Sequence, residues 1–233
     1  MPLSGDGEAI WKRHAKWIRE VRSDYNGRLI VGVVTKSQDE NREYSPVDEV
    51  IAEFEGLEAE FVIETNHRVL GEGATYLKML EKIKTENPDE VFFYGHTKGI
   101  TKASMPLDSP PHLWAEAMFD TVIRNREEAC LQLGHKGVTG SFRIPGKRSR
   151  KNGCMFWHYS GTFFAARSAE VFRRDWNRLT SVYGCVERWP GEQFEMETQS
   201  GCLFLDNPGS LYDAEYWKNK VTPSLNQWRA NGK

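Results

Sequence analysis

The chain reads as an α/β fold with a Rossmann-like, mostly parallel central sheet and helices on both faces. Three features carry that reading. Short apolar runs alternate with stretches of helical periodicity, joined by short connections, as far as Val91. Two runs, Leu29–Val34 (LIVGVV) and Val91–Tyr94 (VFFY), are almost continuously apolar, as strands covered on both faces are. Each stops abruptly at small or polar residues, Thr35-Lys36-Ser37 and Gly95-His96-Thr97-Lys98-Gly99.

Taken in order, the segment from about Glu8 to Ser23 is a helix, with Ile10, His14 and Ile18 on one stripe beside Trp11, Trp17 and Val21. Asn26-Gly27 marks a turn, and Leu29–Val34 is the first strand. The glycine fingerprint of dinucleotide sites does not follow it, which speaks against NAD and FAD. Pro46 opens a helix whose face is Val47, Val50, Ile51 and Phe54, and Gly56 stops it. Glu60–Ile63 is a second strand, followed by Glu64-Thr65-Asn66. Leu70-Gly71-Glu72-Gly73-Ala74 then enters a helix with Leu77, Leu80 and Ile83 inward, closed at Asn87-Pro88. Gly71 and Gly73 either offer backbone amides to an anion or form a plain helix entry. Val91–Tyr94 follows, and ligands of α/β folds bind beyond such carboxyl ends. Lys98 there either meets a phosphate as a point charge or is a solvated turn lysine.

Ser109-Pro110-Pro111 starts a long helix through about Leu133, with Trp114, Met118 and Val122 at four-residue spacing. Val138–Ile144 reads as a strand leading to the basic run Lys147–Lys151, either a solvated loop or a lid over an anion. Met155–Arg167 is too aromatic and β-branched for a helix, and Ser160-Gly161 interrupts it. Trp157, His158, Tyr159, Ser160 and Gly161 together read as a site wall. Ser168 caps a helix with Val171, Phe172 and Trp176. After a Pro190-Gly191 turn, Glu192, Glu195 and Glu197 sit at a helix start. They either complement its dipole or supply a general base. Cys202–Asp206 is a last strand, Leu211–Trp217 a helix, and Trp228–Lys233 a fraying end.

Composition sets the bounds. The 233 residues suit a single domain, 1–233, and a net charge of -2 gives no general attraction to nucleic acid, for which the basic run is the sole support. Cys130, Cys154, Cys185 and Cys202 are scattered without paired spacing, against a zinc site and for reduced thiols. No run approaches the length of a membrane span, and the start of the chain lacks a leader pattern, so a cytoplasmic location is expected.

Three stretches in sequence order carry a resemblance: Tyr94-Gly95-His96-Thr97-Lys98-Gly99, Trp157-His158-Tyr159-Ser160-Gly161-Thr162-Phe163-Phe164, and Pro190-Gly191-Glu192 through Cys202-Leu203-Phe204-Leu205-Asp206. The chain resembles bacterial and viral glycosyltransferase-like proteins of the A-type (nucleotide-diphospho-sugar transferase) fold, from about Leu29 to Trp217. The resemblance implies a glycosyltransferase moving a sugar from a nucleoside-diphosphate donor, UDP-linked first, to an acceptor hydroxyl. It implies donor contacts at Thr35, Lys36, Asn66, Gly71, Gly73, His96, Lys98 and Gly99. It places sugar or acceptor contacts at Trp157, His158, Tyr159, Ser160 and Gly161, and the base among Glu192, Glu195 and Glu197. The family's Asp-x-Asp, which holds Mn²⁺ or Mg²⁺, is replaced here by His96-Thr97-Lys98. His96 and Asp206 remain candidate metal ligands, whereas a charged lysine cannot ligate. Lys98 would then stand in for the metal by neutralising the diphosphate. The alternatives are a non-catalytic nucleotide-sugar-binding or scaffold protein, and a transferase acting on modified bases of nucleic acid.

Overall fold

A computed structural model of the chain describes residues 10–37, 44–67, 69–85, 87, 89–98, 105–146, 148–149, 153–154, 156–181 and 184–231. The first half follows the expected alternation: α1 (Ile10–Val21), β1 (Leu29–Thr35), α2 (Val47–Glu53), β2 (Ala59–Thr65), α3 (Gly73–Ile83) and β3 (Val91–Tyr94). β1 and β2 pair in parallel from Leu29↔Ala59 to Thr35↔Thr65. Alternation along β1 assigns its two faces. A Cβ on Gly32 would meet Met79 Sδ and Thr75 Oγ1 of α3, each at 2.6 Å, so α3 packs there because that position has no side chain. The next residue, Val33, is buried on the other face among Trp11, Ala15, Val50 and Phe54 of α1 and α2.

The second half departs from expectation in instructive ways. The long helix breaks into α4 (Pro110–Met118), a π-helical turn over Phe119–Arg124 and α5 (Arg126–Leu133), bending at Asn125 (φ −95°, ψ 43°). The strand expected over 138–144 splits at Phe142, whose φ of 54° turns β4 (Val138–Ser141) into β5 (Arg143–Ile144). A short ladder, β6 (Arg148–Ser149) with β7 (Gly153–Cys154), follows, then β8 (His158–Tyr159) and β9 (Phe164–Arg167). β5 pairs antiparallel with β8, and β4 with β9, so the stretch from β4 to β9 is one bent hairpin. Its return needs no crossover helix, which is why β9 runs against its neighbours. The main sheet is therefore mixed rather than mostly parallel, in the order β10-β4-β9-β3, where β10 is Ser200–Phe204. The pair β1-β2 stands as a separate two-stranded sheet.

The remaining helices are α6 (Ser168–Phe172), α7 (Cys185–Gln193), α8 (Met196–Gln199), α9 (Ala214–Tyr216) and α10 (Thr222–Asn231), the last two joined by a π-helical turn at Trp217–Val221. Pro190-Gly191 does not form the expected turn but lies inside α7. A Cβ on Gly191 would run into the Trp157 carbonyl, so the glycine lets α7 press against the start of β8. Within the segment expected to fray, Trp228–Asn231 continue α10, and Gly232 and Lys233 lie outside the described residues. Arg229 of α10 pairs with buried Asp120 in the first π-helical turn, and Asp120 also pairs with Arg124.

Candidate functional site

The residues after β1, β2 and β3 open into one cavity of about 2280 Å³, which also runs back between the facing edges of β1 and β3. Its carboxyl-end lining includes Ser37, Asn66, Gly71, Glu72, His96, Lys98, Thr162 and Glu187. The location follows the rule for α/β sheets, since the chain leaves β1 for β2 on one flank and returns to β3 on the other.

Glu72 stands at the N-terminal end of α3 and forms an ion pair with His96 Nδ1. The other ring nitrogen of His96, Nε2, lies 3.0 Å from the Gly161 carbonyl. The Gly161 N–H in turn donates to Glu187 Oε1 at 2.6 Å, and the Thr162 hydroxyl to Glu72 Oε1 at 3.4 Å. One peptide turn is thus held from both sides by groups on α3, α7 and the loop after β3. That turn is strained at Thr162, which has φ 62°, while the φ of 95° at Gly161 is one that glycine adopts readily. A β-branched residue at positive φ is uncommon, and such outliers gather at functional sites. Gly161 is also required by space, because a Cβ there would meet Met118 Sδ at 2.5 Å.

The electrostatics are mixed by design of the surroundings. Burial would raise the Glu72 carboxyl, but the His96 charge and hydrogen bond, with Lys98 and Thr162, bring it below the usual carboxylate range. Burial lowers the Lys98 ammonium, opposed by Glu187 and then Glu72. Lys98 Nζ rests 4.0 Å above the Trp114 ring, and no carboxylate among the described residues forms an ion pair with it. Burial, then the charges of Arg13, His96 and His112, drops His14 to about 3, leaving it neutral at ordinary pH on the cavity wall. Burial and then Glu72 hold Tyr76 and Tyr94 far above the ordinary phenol range, so both stay neutral.

Several expected site residues lie elsewhere. Glu192 accepts from Thr180 at 2.7 Å, Glu195 from Thr198 at 2.8 Å, and exposed Glu197 borders a separate small pocket. None of the three lines the cavity that holds His96 and Lys98. The carboxylates beside those two are Glu187 and Glu72. Continuation of α7 through Pro190-Gly191 is the reason, since it brings a different face of that helix to the cavity. Trp157 and Tyr159 are core residues: their polar atoms donate to Phe194 O and Gly201 O, each at 2.7 Å. His158 sits by the Phe156 carbonyl at 3.5 Å, outside the cavity, and the Ser160 N–H donates to Phe142 O at 3.0 Å. Gly161 alone of that group reaches the site, through its backbone. Asn66 and Gly71 line the cavity, while the Thr35 hydroxyl donates to Glu64 O at 3.3 Å, Lys36 is exposed and Gly73 packs against Cys185. Gly99 and most of the basic run at 147–151 lie outside the described residues.

The candidate metal ligands do not converge. Asp206 is held by Arg143 in a two-pronged pair in the small pocket, and both ring nitrogens of His96 are engaged. Among the described residues no group of three His, Cys, Asp or Glu could hold a metal, so these side chains do not fit a divalent ion. Among them, too, no helix is long and apolar enough to cross a membrane.

Comparison with family models, with curated proteins and with solved structures finds no match to this chain.

Proposed function

We propose that the chain is a glycosyltransferase acting on a nucleoside-diphosphate sugar, UDP-linked first, without a bound metal. The reading rests on one observation: Lys98, unpaired and half-buried, shares a cavity with Glu187 and the Glu72–His96 pair at the carboxyl ends of the strands. In this reading Glu187 is the general base. Its Oε1 is fixed by the Gly161 N–H, and its other oxygen takes the acceptor's hydroxyl proton. The acceptor oxygen then bonds to the anomeric carbon, and the bond from that carbon to the diphosphate breaks. Lys98 meets the charge that gathers on the departing diphosphate, strengthened by its half-buried position. His96 is already engaged at both nitrogens, so it acts as a positioning residue that sets the Gly161 turn and, through it, Glu187.

The test is donor turnover with UDP- and GDP-sugars in EDTA, for the wild type, Glu187→Gln and Lys98→Met. Turnover lost in both variants, with their folds intact, supports the reading. Absence of turnover with every donor, or turnover untouched by Glu187→Gln, removes it.

A further inference from the structure

The cavity has a second part that the proposed chemistry leaves unused. It is a slot in the middle layer of the fold, running the length of β1 and β3 from Arg28 and Glu90 to the site. Among the described strands β1 is hydrogen-bonded to β2 alone and β3 to β9 alone, so the free edge of each faces the slot.

The two strands run in the same direction. At its N-terminal end α3 meets the residue just beyond β3 through Glu72 and His96. At its other end the Lys82 carbonyl accepts from Arg28, just before β1. Residues of the same two helices share hydrophobic clusters with both strands. On β1, Gly32 faces α3 and Val33 faces α1. On β3, Tyr94 meets Tyr76 of α3 edge-on and Phe92 joins the same cluster, while Val91 and Phe93 belong to the cluster that holds Trp17, Ile18 and Val21 of α1. Thus the slot has a roof, a floor, and at its sides two parallel strand edges that pair with no other described strand.

Burial agrees that the strands are short of a neighbour. In β1 a run of six apolar residues and a threonine contains one fully buried residue, Val33, and in β3 the one is Tyr94. Such continuous apolar runs belong to central strands of a parallel sheet.

We propose that β1 and β3 pair directly, joining the two sheets into a six-stranded one in the order β2-β1-β3-β9-β4-β10, and that a nucleotide sugar favours this closed form. The trigger, though not the pairing itself, rests on the function proposed above. Asn66 and Ser37 lie on the β1–β2 side of the site, and His96 and Lys98 on the β3 side. A ligand that touches both sides binds the closed arrangement better and shifts the population toward it.

Two measurements test this. The pairs Val31→Cys/Phe93→Cys and Val33→Cys/Phe93→Cys place thiols on the α1 face of both strands. Paired strands bring Cα atoms within about 5 Å, inside disulfide reach, whereas strands held apart by the slot do not cross-link. Under mild oxidation one of the two pairs is expected to form an intramolecular disulfide, more completely with UDP-glucose, while the single-cysteine variants do not. Hydrogen exchange of the wild type keeps the test open if the variants fold poorly. UDP-glucose should slow the amides of 29–35 and 91–94 together, at least tenfold. The pairing is overturned if neither pair cross-links and exchange in both strands is unchanged although UDP-glucose raises the melting temperature. If no nucleotide sugar shifts the melting temperature, the trigger and the proposed function fall. Cross-linking in the ligand-free protein then decides the pairing by itself.

Discussion

Glu187 and Glu192 lie on one helix, about 140° apart around its axis at 3.6 residues per turn, and that angle separates a base candidate from a surface carboxylate. Glu187→Gln should lower donor turnover by about 10²–10⁴-fold, the usual worth of a general base, while Glu192→Gln leaves it unchanged. A proline-glycine pair ordinarily signals a turn, and here the need to approach the Trp157 backbone overrides that signal. Glu72 was within reach of sequence reasoning, since it is an acid held between two glycines at a helix entry. Its signature is in acid. The Glu72 carboxyl is lower in the folded protein than its ordinary 4.5, so the stability it lends is complete above about pH 4.5 and is lost as pH falls through the folded value. The melting-temperature gap between wild type and Glu72→Gln should therefore be widest near neutral pH and shrink below about pH 4.5.

At the scale of elements, the 3.6- and 2-residue periodicities located nearly every helix and strand before β3, because each buries one face or both against immediate neighbours. Beyond β3 they failed where single residues take unusual backbone angles, as at Asn125, Phe142 and Thr162, which no hydrophobic pattern encodes. The antiparallel course of β9 was hidden as well. It is set by the hairpin return between β5 and β8, and the turn at Gly161-Thr162 only bends the returning arm opposite Phe142. The packing of α3 on β1 makes a sharp prediction. Gly32→Ala should destabilise the fold by about 1–3 kcal/mol, the cost of overpacking against both Met79 and Thr75, as read by denaturant midpoint. The tie between α10 and the first π-helical turn makes another. Asp120→Ala removes the buried carboxylate shared by Arg124 and Arg229, leaving them only the more exposed Glu20 and Glu116, and should cost about 1–3 kcal/mol. In a chain of this length that lowers the melting temperature by about 2–4 °C per kcal/mol.

For the molecule as a whole, the strand ends of two sheets and the start of α7 converge on one cavity, and the proposed function asks an unpaired lysine there to offset phosphate charge in place of a metal. Gly95-His96-Thr97-Lys98 marked the strand end that opens into this cavity, although the same residues read equally as a plain turn with a solvated lysine. The partner carboxylates were not legible in this way, because they come from parts of the chain that only the tertiary fold brings together. The most direct measurement is the melting temperature of the protein with UDP- and GDP-sugars in EDTA, for wild type and Lys98→Met. A ligand at about a hundred times its dissociation constant stabilises by about 2.7 kcal/mol, so a rise of about 5–10 °C is expected for wild type and none for the variant. A rise that appears only when Mn²⁺ is added, or that persists in Lys98→Met, would contradict the account.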